Sequence, residues 1–240
     1  MAKNWISVKK RNGKRQFFRR RGGGGKARRA RRLKYNIQGT LIPDRTCVRL
    51  KYARDIKMTL SGIGAVNSLL YRCNSIFDPQ EAVAVDPFPL GYKQYEEFYE
   101  KYMVIGSKIS VTWKSLNQND ETNPQSGNAS VAITTIANTS DTITDSNEIM
   151  CNNRTTYKNL CLQRPYARIS KKFNPKRFFG VSKLLDNQQY GAPFGANPNQ
   201  EAFWQLSCWN PASDNTARTL YVNVMISYIC VLRERKNIGL

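Results

Sequence analysis

The chain has 240 residues, and its 38 Lys or Arg against 17 Asp or Glu give a formal net charge of +21. It contains no histidine and no Walker A sequence, which argues against His-dependent nucleophiles, most transition-metal sites and P-loop phosphate transfer. We therefore expect a protein that is not an enzyme and that uses no cofactor and no metal.

The first 34 residues hold most of the positive charge. They contain 15 Lys or Arg and no Asp or Glu, so that subtracting their +15 from +21 leaves +6 for residues 35–240. Such a run has little apolar surface to bury and repels itself. We expect a disordered, basic N-terminal arm over residues 1–40 and a folded domain over residues 41–240.

A Lys/Arg-rich arm without acids most often binds nucleic acid, with an anionic membrane as the usual competitor. The apolar residues of the arm form no amphipathic stripe. No apolar run approaches the roughly 20 residues that span a bilayer, so we expect no membrane insertion.

The candidate nucleic-acid-binding residues are the arm cations from Lys9 onward and two cations on the polar face of the first strand. They are Lys9, Lys10, Arg11, Lys14, Arg15, Arg19, Arg20, Arg21, Lys26, Arg28, Arg29, Arg31, Arg32, Lys34, Arg49 and Lys51. Trp5, Phe17 and Phe18 are candidates for base stacking, because single strands expose the faces of their bases.

Two basic clusters of the arm, KKRNGKR and KARRARR, also match nuclear-import signals, which makes host import receptors candidate partners. The residues of this nuclear localisation signal are Lys9, Lys10, Arg11, Lys14, Arg15, Lys26, Arg28, Arg29, Arg31 and Arg32.

The folded part is dominated by apolar residues at every second position. From Val48 to Leu60 this alternation, broken by Arg54, predicts a long half-buried strand. Further strands are predicted near residues 69–76, 105–113, 131–135, 167–173, 203–209 and 220–232. An eighth is expected between residues 150 and 185.

One segment has a helical period instead. Tyr92, Tyr95, Tyr99 and Tyr102 share one helical stripe, which predicts one short helix over residues 91–102. Segments 117–128, 191–199 and 211–216 predict loops. The aromatic residues of the strands are assigned to the core rather than to base stacking, namely Trp113, Trp204 and Tyr221.

Many strands joined by connections longer than the about two to five residues of simple hairpins indicate an antiparallel β-sandwich. We expect an all-β fold, a single eight-stranded antiparallel jelly roll with long loops at its ends.

Three segments carry a resemblance to a known family. They are YMVIGSKISVTW at 102–113, entered through PFPLGYKQYEEFYEKY, then FNPKRFFG at 173–180, and RTLYVNVMISYICVLRERK at 218–236. With the basic arm, they resemble, in order along most of the chain, capsid proteins of circular, replication-protein-encoding single-stranded DNA viruses of the circovirus type. The arm departs from that pattern, since it carries more Lys and a four-glycine stretch at residues 22–25.

The resemblance implies a coat protein that self-assembles into a small T=1 icosahedral shell around circular single-stranded DNA. Its expected locations are the virion and, during assembly, the host nucleus. From charge alone, a non-assembling nucleic-acid-binding or nuclear shuttle protein stays an alternative. A basic cluster at residues 164–177 leaves three interpretations open: an inner surface, a subunit contact, or a sulfated-glycan site for attachment to the host cell.

Overall fold

A computed structural model describes residues 8–11, 14–17, 42–60, 65–81, 87–115, 128–161, 163–211 and 218–236. The chain divides into two units, residues 1–41 and residues 42–240. In the first unit, the strands β1 (Val8–Arg11) and β2 (Lys14–Phe17) pair antiparallel. This hairpin differs from the disorder expected for the arm. The sequence between its strands is Asn-Gly, which two-residue hairpin loops prefer.

The second unit contains nine strands and three α-helices among its described residues. The strands are β3 (Arg45–Leu60), β4 (Asn67–Arg72), β5 (Tyr99–Ser115), β6 (Ala129–Ile136), β7 (Thr155–Leu160), β8 (Tyr166–Phe173), β9 (Gly191–Pro193), β10 (Phe203–Trp209) and β11 (Arg218–Arg235). The helices are α1 (Tyr92–Phe98), α2 (Ser146–Cys151) and α3 (Pro175–Phe179).

The strands form two antiparallel sheets. One has the order β3-β11-β5-β8, with the short β9 also paired to β5, and the other has the order β4-β10-β6-β7. If the eight long strands are numbered along the chain, these orders are 1-8-3-6 and 2-7-4-5, so that every successive pair except 4 and 5 crosses between the sheets. This is the topology of a jelly roll, and it confirms the predicted fold.

The tyrosine stripe was only partly helical. Helix α1 ends at Phe98, and Tyr99 and Tyr102 lie in β5, where both are buried. The helix stops because the backbone from Tyr99 onward pairs with β11, beginning at Arg235. A helical spacing of four tyrosines thus spans a helix and the strand that follows it.

Three other expectations change in detail. The eighth strand is β7, where expected, but only Leu160 of it is buried, so that it carries no apolar alternation. The predicted loop 191–199 begins with β9, which pairs with β5. The expectation of one short helix was wrong, because α2 and α3 are also helical. Asp145 and Asn174 cap these helices by accepting hydrogen bonds from the backbone at Asn147 and Arg177.

The core fills the space between the two sheets, and Trp113 and Trp204 are fully buried there. Strands β6 and β10 are buried at every position. Their second face is covered by residues 143–149, where Ile143 and Ile149 pack against Ala132 and Trp209. The side chain of Gln205 fixes this cover, because it exchanges hydrogen bonds of 3.0 and 2.6 Å with the backbone of Ile143.

Among the described residues, the other sheet is covered at one end. Leu184 and Tyr190 pack on Met103 near the start of β5. Farther along β3, β11, β5 and β8, the outward side chains are largely exposed or half-buried. The fold thus leaves one broad sheet face open among the residues that the structure describes.

Candidate nucleic-acid interface

The open face of the β3-β11-β5-β8 sheet is strongly basic. Because side chains alternate along a strand, the residues that flank the buried Leu50, Tyr52 and Met58 point outward. Strands β5 and β8 supply cations to the same face by the same alternation. We call the following seven side chains, all exposed, the basic face: Arg49, Lys51, Lys57, Lys108, Lys114, Arg168 and Lys172.

Pairing across the sheet aligns these cations in rows. One row contains Lys51, Ser227, Lys108 and Lys172, and another contains Lys57, Tyr221, Lys114 and Tyr166. Between these two rows, the face carries a single acid, Asp55, whose Oδ1 accepts a hydrogen bond of 2.7 Å from Asn223.

The charge of the folded domain is concentrated on this face. Seven cations and one acid give the basic face a net charge of +6, which equals the net charge of residues 35–240. The remaining residues of that range therefore balance to zero. Composition gives this net charge but does not show which face of the domain it occupies.

A groove of about 460 Å³ opens at the Lys51 row. Its cationic lining comes from Lys51, Lys108 and Arg168, and none of the residues described as lining it is acidic. The Nε of Arg168 donates to Ser110 Oγ at 3.0 Å, which holds the guanidinium against the sheet. This arrangement can accept an anionic group such as a phosphate.

One wall of the groove is apolar and exposed. Leu90 is 83% exposed, and its backbone N–H donates to the Lys51 carbonyl at 2.9 Å, which fixes it at the free edge of β3. Phe88 stacks on Tyr92 with ring centroids 4.6 Å apart. Sequence reasoning missed this wall, since residues 87–90 give no strand or helix signal.

The sequence-predicted binding residues fall into three groups. Arg49 and Lys51 lie on the basic face, exposed as expected. Five arm cations and one aromatic candidate lie in the β1-β2 hairpin, of which only the backbone is described: Lys9, Lys10, Arg11, Lys14, Arg15 and Phe17. The other arm candidates lie outside the described residues.

Tyr221 is not a core residue. Tyr221 is 37% exposed on the basic face, and Lys57 Nζ lies 5.2 Å from its ring centroid. The assignment failed because β11 presents two faces, and period two alone does not say which face is buried. Trp113 and Trp204 are in the core as predicted.

A buried ion cluster fixes the loops at the other sheet. Arg72 is contacted by Asp78 and Glu201, each at 2.6 Å, and by Glu81. Burial lowers the pKa of Arg72, but the hydrogen bond and charge of Glu201, with the charges of Glu81 and Asp78, outweigh this and raise it. The guanidinium therefore stays charged and ties residues 78–81 and 201 to β4.

All six cysteines are free. Burial raises the pKa of the Cys208 thiol to about 12, and it raises the pKa values of Cys73 and Cys230 as well. A nucleophilic or metal-binding cysteine needs the opposite shift. These three side chains are therefore packing groups of the core.

The described residues contain neither a candidate metal site nor a candidate membrane-spanning helix. No group of three or more His, Cys, Asp or Glu in that part of the chain is arranged to hold a metal ion. No helix within the same ranges has the length and apolarity needed to cross a membrane.

No protein-family profile and no curated protein matches the chain. Solved structures do. A solved chain of Desmodium yellow mottle tymovirus is 13% identical in sequence, and the match covers 85% of this chain and 99% of that chain, with a TM-score of 0.40. The decameric BFDV capsid protein is 9% identical over 79% of this chain and 99% of its own, at a TM-score of 0.41.

Mud crab tombus-like virus is 9% identical over 84% of this chain and 95% of its own, with a TM-score of 0.44. No functional assignment follows from similarities at this level.

Proposed function

We propose that this chain is a viral capsid protein that assembles into a closed shell and packages single-stranded nucleic acid. The observation that carries the proposal is the distribution of charge on a jelly roll. An arm of +15 precedes a domain in which seven exposed cations and a single acid share one open sheet face. Single-stranded DNA, and a circovirus-like virus, enter the proposal through the sequence resemblance.

The division of labour follows from this arrangement. We assign residues 1–40 to genome binding and residues 41–240 to the shell. Identical subunits that close by symmetry bring many copies of a polycation together, and their mutual repulsion opposes closure. A polyanion enclosed by the shell removes that repulsion, so assembly and packaging are coupled.

The arm would also deliver the protein to its genome. The clusters KKRNGKR and KARRARR suit import receptors, and import places the subunit in the host nucleus before assembly. Of the three interpretations of the basic cluster at residues 164–177, we propose the inner surface, because Arg168 and Lys172 lie on the basic face. Neither role requires catalysis, and we propose that the protein is not an enzyme.

Assembly is the direct test. The purified full chain is mixed with circular single-stranded DNA and examined by electron microscopy, sedimentation and nuclease protection. We expect uniform closed particles that protect the DNA. Only monomers or dimers, across salt and pH and with DNA supplied, would overturn the capsid proposal and favour a non-assembling shuttle protein. Matched single-stranded RNA in a parallel reaction tests whether packaging selects DNA.

A further inference from the structure

The row at the far end of the basic face alternates cations with aromatic rings. Lys57 on β3 pairs with Tyr221 on β11, which pairs with Lys114 on β5, which in turn pairs with Tyr166 on β8. These four positions lie far apart in sequence and meet only through the strand order. No other row of this face contains an aromatic ring in the described residues.

Both tyrosines are placed for contact with a partner rather than with the core. Tyr166 is 68% exposed and Tyr221 is 37% exposed, while Ala167 and Val222 beside them are buried. Lys57 Nζ lies 5.2 Å from the Tyr221 ring centroid, so a cation already borders that ring. The row therefore offers two exposed rings, each with lysine neighbours.

The surroundings suit a polyanion. Arg168 lies two residues from Tyr166 on the same face of β8, and the Lys51 row lies six residues from the tyrosine row along each strand, about 20 Å at 3.4 Å per residue. The single acid of the face, Asp55, is hydrogen-bonded to Asn223. A single-stranded nucleic acid that contacts this row can therefore also contact the cations farther along the face.

We propose that Tyr166 and Tyr221 form a base-stacking platform for single-stranded nucleic acid, with Lys57, Lys114 and Arg168 holding the adjacent phosphates. The proposal rests on the packaging function and adds a second site to the arm, within the folded domain. Exposed aromatic rings interleaved with cations are the combination that binds single strands without sequence preference. Lysines alone would bind any polyanion. The tyrosine rings favour a polyanion that carries bases, because bases can stack on them.

The spacing of the rings limits how a strand binds. Tyr166 and Tyr221 are two strands apart, which is about 10 Å at the usual strand separation. Bases stacked on one another are only about 3.4 Å apart. The two rings therefore cannot hold neighbouring bases of a continuous stack, and each takes a base that has been splayed from the next. Duplex DNA does not expose such bases.

The test uses the full chain and two probes: poly(dT) carrying 5-iodouracil, and heparin as a sulfated polyanion without bases. Photocross-linked peptides are identified by mass spectrometry. The double variant Tyr166→Leu/Tyr221→Leu removes the rings, and Tyr166→Phe/Tyr221→Phe keeps them. Tyr157→Leu is the matched control, because Tyr157 is 46% exposed on the opposite sheet.

We expect cross-links at Tyr166 and Tyr221 but not at Tyr157. At salt that screens the arm, the Leu variant should bind poly(dT) at least about fivefold more weakly for each ring removed. The Phe variant should bind like the wild type, and heparin affinity should not change. Unchanged poly(dT) affinity in the Leu variant, or an equal loss for heparin, would overturn the platform.

A third outcome would also overturn it: a Leu variant that binds poly(dT) normally but no longer assembles, which would make the row a subunit contact. Particle formation by the wild type separates this inference from the proposed function. Wild-type particles with unaffected Leu variants reject the platform alone. A wild type that forms no particles rejects the capsid proposal.

Discussion

Neutralising the basic face should make nucleic-acid binding measurably less sensitive to salt. The perturbation is the fourfold variant K51Q/K57Q/K108Q/K114Q in the full chain. All four lysines are exposed on β3 and β5, so that glutamine keeps the stems solvated and the pairing of the sheet intact. The 15 cations of the arm are unchanged.

The magnitude follows from counting phosphates. Each phosphate neutralised on a single strand contributes about −0.7 to the slope of log affinity against log salt, so the arm gives about −10 and the seven cations of the face about −5. Removing four should make the slope shallower by about 3. Over a fourfold rise in salt, the wild type should then lose about 50-fold more affinity than the variant.

Fluorescence anisotropy of labelled poly(dT), repeated over a salt series, measures both slopes. The matched control is K158Q/K176Q/R177Q/K183Q, which removes four exposed cations that lie off the basic face. If the two variants change the slope equally, binding follows net charge alone and the basic face is not an interface. A slope that does not change in K51Q/K57Q/K108Q/K114Q leads to the same conclusion.

Two further predictions concern the core. Arg72→Met leaves three carboxylates clustered without their cation, and the free energy of unfolding in urea at pH 7 should fall by about 3–5 kcal/mol. Lys101→Met, which breaks an exposed pair with Glu234, should cost under about 1 kcal/mol, and equal losses would contradict the role of Arg72. The second prediction concerns alkaline pH. Burial raises the pKa of Cys208 from 9.0 to about 12 in the folded protein. The contribution of the protonated thiol to the free energy of unfolding is therefore present below pH 9 and is lost between pH 9 and 12. With reductant present, Cys208→Ala should therefore lose about 1.4 kcal/mol less per pH unit in that window than the wild type, and equal losses in the two proteins would contradict the prediction.

The fold was largely accessible from the sequence because most of its strands have one buried face. In β3, side chains alternate between the core and solvent, so apolar period two marks the strand directly. Strand β7 lacks this alternation because it lies at the edge of its sheet and buries only Leu160. The helical spacing of Tyr99 and Tyr102 was misleading, since pairing with β11 overrides a local helical pattern.

The candidate site was less accessible, for a topological reason. Arg49 and Lys51 were found because they share one strand with a clear polar face. The row of Lys57, Tyr221, Lys114 and Tyr166 depends on the register of four strands taken from distant parts of the chain. Period two marks each strand, but it specifies neither its neighbours nor its register.

The position of β11 between β3 and β5 has a consequence for synthesis in the cell. Leu60 at the end of β3 pairs with Arg218 and Arg45 at its start pairs with Arg233, so the first long strand cannot complete its pairing with β11 until residue 233 has been translated. At about 5–20 residues per second, this interval lasts roughly 10–40 s. The arm leaves the ribosome well before the sheet can close. Nucleic-acid contact is thus available to the nascent chain, whereas assembly must wait for β11, and the order of translation separates the two in time.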